Sequence, residues 1–159
     1  MMRTIASVAV LLAALPAAGK PWQGIEPGTS KREQVVKKFG EPSRVVTSEG
    51  KEIIAYFEKA AIKGTRQVQF LLDSKTQVVE RIDIFPGPVV ELEAVESTYG
   101  AACPSGRAKA RSSSACFVKK LTEDFRTYLL YRSLGMAVFL NEDGKTVNSF
   151  IYTTQADAK

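Results

Sequence analysis

Histidine is absent from all 159 residues. Its absence excludes Ser-His-Asp and Cys-His nucleophile systems and removes the ligand that most catalytic zinc sites require. Neither common glycine-rich phosphate loop occurs among the 11 glycines, so nucleotide chemistry lacks its backbone cradle. Charge of one sign is not concentrated either. Lys and Arg number 22 against 17 Asp and Glu, a net +5 that suits anionic partners but falls short of a nucleic-acid-binding signature. After Leu15 no apolar run approaches the roughly 20 residues of a membrane span, so no transmembrane segment is expected beyond the N-terminal region. With 45% hydrophobic and 25% charged residues, the composition is that of a globular chain rather than a disordered one. The length suits one compact domain or two small halves sharing a core.

The start has the order of a secretory signal: a cation at Arg3, apolar residues from Ile5 to Leu15, and the small-residue exit Pro16-Ala17-Ala18-Gly19. Cleavage after Ala17 or Gly19 is expected, with a periplasmic or secreted product. The two cysteines fit an oxidising compartment. Cys103 and Cys116 enclose a polar loop, and a structural disulfide between them is expected, worth about 3 kcal/mol on the chain-entropy view. A redox pair would more usually show Cys-x-x-Cys spacing.

The best-specified stretch runs from Ile25 to Pro42. Ser30 or Thr29 can cap a helix starting near Lys31, with Glu33 completing a capping box. Val35, Val36 and Phe39 share one face, Gly40 supplies a left-handed stop, and Pro42 prevents resumption. Strands follow at Val45–Thr47, Glu52–Glu58, Arg66–Leu72 and Val78–Phe85. In the last of these, Val78, Glu80, Ile82 and Ile84 alternate with Val79, Arg81, Asp83 and Phe85, which sets apolar groups mostly on one face. Pro86-Gly87-Pro88 marks an internal boundary. Beyond it the order recurs: a helix from Val90 to Gly100, with Val95, Tyr99 and Gly100 in the places of Val35, Phe39 and Gly40. The later hairpin, turning at Glu142-Asp143-Gly144, also matches the earlier one, with Val147, Phe150 and Tyr152 in the places of Val79, Ile82 and Ile84.

Gly28, Ser30, Val35, Phe39, Gly40 and Pro42 resemble the repeat unit of the BamE (SmpA/OmlA) envelope proteins and of the β-lactamase inhibitory protein (BLIP-like) fold. Tyr128 to Tyr152 is similar to the strands that follow the Gly-x-Pro helix in BamE-like proteins. No cysteine follows the apolar start, so the lipid anchor of BamE-type lipoproteins has no acceptor here. The fold expected is α+β: two tandem helix-plus-antiparallel-β-meander units, helices packed on one face of the sheet. The divisions are a signal peptide over 1–19, a first repeat over 20–88, a second repeat with the disulfide loop insertion over 89–154, and a polar tail over 155–159.

The resemblance implies a non-enzymatic protein-protein interaction module of the bacterial cell envelope, binding another envelope or secreted protein on the exposed sheet face. By that similarity Tyr56, Tyr128 and Tyr131 are candidate contacts. The cations Arg107, Lys109 and Arg111 between the cysteines form a second candidate site, suited to an acidic protein or another anionic surface. No catalytic residue, cofactor or metal is expected. The alternatives are an inhibitor of a secreted enzyme and a hydrolase working through carboxylates, with Glu91, Glu93, Glu96, Glu123 and Asp124 as its residues. Trp22 reads as a plug on the core.

Overall fold

The computed structural model describes residues 19–104 and 115–154. The expected signal segment before Gly19, the tail after Thr154 and the loop cations Arg107, Lys109 and Arg111 lie outside the described residues.

The first helix, α1 (Arg32–Phe39), carries Val35 into the core and ends at Gly40. Its start differs from expectation. Ser30 is buried, and its Oγ accepts the Glu26 amide at 2.9 Å, closing a turn instead of capping the helix. The orphaned donors are met from elsewhere: Lys31 N donates to Gln34 Oε1 at 2.8 Å and Arg32 N to the Gln77 carbonyl at 2.9 Å. Ser30 still anchors the segment, because its carbonyl accepts Val79 N at 2.8 Å.

The next elements are β1 (Arg44–Ser48), β2 (Lys51–Phe57), β3 (Thr65–Asp73), β4 (Val79–Pro86) and the second helix α2 (Leu92–Tyr99). After them come β5 (Val118–Leu121), β6 (Thr127–Tyr131), β7 (Met136–Leu140) and β8 (Val147–Thr153). All eight strands pair antiparallel in one sheet of order β1-β2-β3-β4-β8-β7-β6-β5. This corrects the expected α+β tandem of helix-plus-meander units: the described residues form mostly one continuous β-sheet with two short helices. The deciding contact is β4 against β8, where Ile82 pairs with Tyr152 and Ile84 with Phe150. Alternation within a strand says nothing about which distant strand occupies its free edge, so this pairing was invisible locally.

A second correction concerns phase in β4. Val79, Ile82 and Ile84 are the buried residues, not Val78 with Ile82 and Ile84. The register shifts between Leu71 and Leu72, so Leu71 pairs with Arg81 and Leu72 with Val79, and Glu80 is left over. One extra residue in a bulge reverses the inward and outward positions on either side of it. The same shift occurs between Phe139 and Leu140.

Both helices lie on the face that carries Tyr56, Phe70, Ile82, Tyr152, Met136 and Tyr131, and they share one hydrophobic cluster with it. Phe39 stacks on Phe70 with ring centres 5.8 Å apart, and Trp22 covers Phe39 at 5.9 Å. In the other half Tyr99 meets Tyr131 at 6.0 Å edge to face. Each helix end is tied to the sheet by a buried phenol: Tyr56 donates to the Gly40 carbonyl at 2.9 Å and Tyr131 to the Gly100 carbonyl at 2.8 Å. Burial pushes the Tyr131 hydroxyl up to about 12, which keeps it a donor. Each tether stabilises by about 1 kcal/mol and satisfies a terminal carbonyl that would otherwise be orphaned.

Neither helix stop is the left-handed helical conformation. Gly40 has φ 81° and ψ −166°, and Gly100 has φ 106° and ψ 152°, the mirror image of extended backbone, open essentially to glycine alone. A Cβ at Gly40 would meet nothing, whereas one at Gly100 would run into the Ala115 carbonyl. Gly40→Ala is therefore expected to lower stability by about 1–3 kcal/mol of backbone strain. Gly100→Ala should lose clearly more. Urea denaturation of both variants checks this; equal shifts in midpoint would contradict it.

Candidate functional site

The sheet face opposite the helices is built from the outward half of each strand's alternation, and no helix among the described residues lies on it. A row runs across it through Arg44, Ala55, Gln69, Asp83, Ile151, Ala137, Leu130 and Val118, following the strand register. Along this row Ile151, Ala137, Leu130 and Val118 make the β8–β5 side apolar, while Arg44, Gln69 and Asp83 make the other side largely polar; Ala55 and Leu130 are buried.

At the β6–β7 end, register places Tyr128 directly opposite Phe139, and the rings stack at 5.1 Å with planes 16° apart. The Arg126 guanidinium lies 5.4 Å from the Phe139 ring centre on the way into β6. Arg126 is held there by Asp124, whose Oδ2 accepts from Arg126 Nε at 2.9 Å, and by its own amide donating to Thr122 Oγ1 at 3.0 Å. The Thr122 hydroxyl also donates to Asp124, and that bond leads the effects holding the Asp124 carboxyl below its ordinary value. The tight turn forces Phe125 to φ 60°, left-handed backbone that is strained for a bulky residue, and leaves the residue 84% exposed. Phe125, Arg126 and Phe139 line an open cavity of about 630 Å³, rimmed by Asp124, Asn141 and Asn148.

In the middle of the face Arg81 Nη2 donates to Asp83 Oδ2 at 2.8 Å, with the Asp83 side chain only 13% exposed. Among the described residues Arg81 Nε and Asp83 Oδ1 meet no hydrogen-bond partner. Burial pushes the Asp83 carboxyl above its ordinary value, and the Arg81 charge and hydrogen bond oppose that rise.

The expected site residues are distributed unequally. Tyr128 stands on the outward face, but Tyr56 and Tyr131 are fully buried on the helix side with their hydroxyls engaged, which withdraws them as surface contacts. Cys103 and Cys116 are bonded, with Cα atoms 4.8 Å apart. Next to the bond, Cys103 N donates to the Phe117 carbonyl at 2.9 Å, and Phe117 packs its ring 5.6 Å from Tyr131. The bridge thus fastens the entry to β5 onto the core. Arg107, Lys109 and Arg111 lie outside the described residues. Glu91 precedes α2, Glu93 and Glu96 lie along it, and Asp124 is ion-paired and kept in its charged form, the opposite of what a general acid needs. Sequence reasoning missed Phe125, Arg126 and Phe139. A large aromatic inside the polar turn Glu123-Asp124-Phe125-Arg126 was the available signal, since a turn has no core to receive it.

No known protein family's profile matches the chain, and no curated protein matches it. Among solved structures it is similar to a cysteine-rich secretory protein from Staphylococcus aureus, with 13% identity and a TM-score of 0.40. The match covers 81% of this chain and 46% of that one, so this chain spans less than half of its length. A likeness this slight carries no argument about fold or activity. Among the described residues no helix is long and apolar enough to cross a membrane.

The central pair gives a pH signature. Because the Asp83 carboxyl is raised in the folded chain, the fold binds that proton more tightly than the unfolded chain does. Its contribution is therefore fully present below the unfolded value of about 3.9 and is lost as pH rises through the folded value. Asp83→Asn removes this loss, so its stability relative to the parent should increase from acid to neutral pH. Urea titrations across that range read the difference; one that is constant with pH would contradict the assignment.

Proposed function

We propose that this chain is an exported, non-enzymatic binding protein that docks another envelope or secreted protein on the helix-free sheet face. The observation that carries the reading is the stack of Arg126, Phe139 and Tyr128 with Phe125 held beside it in a strained, exposed conformation. Aromatic residues and Arg supply most of the energy at protein interfaces, because they bury much area at little entropic cost. The turn that closes the β5–β6 hairpin imposes this conformation on Phe125 and so holds an exposed aromatic ring in a fixed position, which suits it to grip a partner. The BamE-like and BLIP-like resemblance of Gly28 to Pro42 supports the same class of function. The signal-like start supports export, and the disulfide agrees with an oxidising compartment. An anionic surface as second partner rests on Arg107, Lys109 and Arg111 alone, and an enzyme-inhibiting role would use the same sheet face.

The test separates binding from stability with two substitutions. Phe125→Gly relieves the left-handed strain, so it should raise unfolding stability by about 1 kcal/mol. Tyr128→Ser removes the stack. Cross-linking in the host envelope should capture a protein with the parent chain and lose it with Phe125→Gly/Tyr128→Ser. Equal capture by a well-folded double variant would contradict the reading.

A further inference from the structure

The two outer strands of the sheet are unlike each other. Among the described residues β1 pairs only with β2 and β5 only with β6, although Phe117, just before β5, bridges to Ala102. An open edge offers unpaired backbone donors and acceptors to any extended chain, and proteins usually guard it with charge. β5 is guarded: Lys119 and Lys120 occupy the middle of its four residues. β1 reads Arg44-Val45-Val46-Thr47-Ser48 and has no charge in its middle. Every β1 residue is exposed, with Val45 at 46% and Val46 at 43%. The strand is also firmly seated, since all five residues pair with β2 and Ser43 Oγ both donates to the Phe57 carbonyl and accepts its amide, at 2.8 and 2.9 Å.

We propose that β1 is a self-association edge, pairing antiparallel with β1 of a second copy of this chain to extend the sheet through a two-fold axis. Symmetry selects this occupant. A two-fold normal to the sheet keeps outward faces outward and requires pairs of like parity, so full overlap sets Val46 against Val46 of the second copy, Val45 against Thr47 and Arg44 against Ser48. The two Arg44 side chains then fall at opposite ends, four residues or roughly 13 Å apart, beyond the screening length of about 8 Å. The same operation on β5 sets Lys119 or Lys120 opposite itself, which like-charge repulsion opposes. Pairing β1 with β5 would be heterologous and leave further edges open, so it would not close. The association also joins the apolar outward surface at Val46 and Ile53 across the axis, while Phe125 and Tyr128 lie toward the opposite edge and stay free. It therefore goes beyond the docking function proposed above and stands independently of it.

A five-residue edge buries less than a standard interface, so the dimer should be weak and concentration-dependent. Sedimentation equilibrium of the full exported chain, from about 1 μM to about 1 mM, should show a reversible monomer–dimer transition. Val46→Lys places like charges face to face on the axis and should raise the dissociation constant roughly tenfold or more. Lys120→Ala, at the other edge, should leave it unchanged. Should Val46→Lys fail to fold, hydrogen exchange on the parent chain decides, because the outward-pointing β1 amides of Val45 and Thr47 should slow as concentration rises. A chain that stays monomeric throughout overturns the proposal. So does a dimer indifferent to Val46→Lys, or one whose protection appears elsewhere than β1.

Discussion

The pairing of β4 with β8 is the contact on which the rest of the molecule depends. Four residue pairs, from Arg81 with Thr153 to Ile84 with Phe150, join two runs of strands that would otherwise each expose another open edge. The seam brings Ile82 and Ile84 beside Tyr152 and Phe150, so that the apolar residues beneath both helices merge into one cluster. A core of that extent is what a chain of this length needs, since small separate cores bury too little surface to offset chain entropy. The same seam makes the opposite face continuous and, among the described residues, leaves β1 and β5 as the outer strands.

Around the seam the chain repeats a small set of devices. A buried tyrosine holds the carbonyl of each helix-terminating glycine, and the backbone before each helix accepts an amide from the start of a central strand, Val79 to Ser30 and Val147 to Val90. Two helices of eight residues are too short to persist alone, so these anchors and the burial of Val35 and Val95 supply what propensity cannot. In the second half the disulfide adds a covalent tie next to Phe117 and the Tyr131 tether. The helix-free face carries two arrangements that cost free energy locally: the half-buried Arg81–Asp83 pair at its centre and Phe125 at its rim. A rigid support is what lets such a face keep unfavourable local arrangements.

Much of this was legible in the residues, and the failures have physical causes. Gly40 with Pro42, and Gly100, marked the helix ends, and Glu49-Gly50 and Asp143-Gly144 marked turns, because those conformations exclude most other side chains. The spacing of the two cysteines in a chain with a signal-like start pointed to the bond that is present. The seam was not legible, since edge pairing is decided by tertiary packing. The bulges at Leu71/Leu72 and Phe139/Leu140 shifted phase without leaving a Gly or Pro as a sign, so simple alternation put Val78 rather than Val79 in the core. Tyr56 and Tyr131 were candidate contacts by the BLIP-like similarity alone, and a phenol is at home on either face; the accepting carbonyls of Gly40 and Gly100 show why they point inward.

The central claim is that one sheet, fused at β4 and β8, makes a single cooperative structure. Native-state hydrogen exchange tests it most directly, by comparing amides of Ile82–Ile84 and Phe150–Tyr152 with those of β3 and β7. The account predicts that protected seam amides exchange only through global unfolding, with an opening free energy equal to that from denaturant titration. Seam amides that open at distinctly lower free energy than β3 and β7 would contradict it, showing two halves that separate before either unfolds.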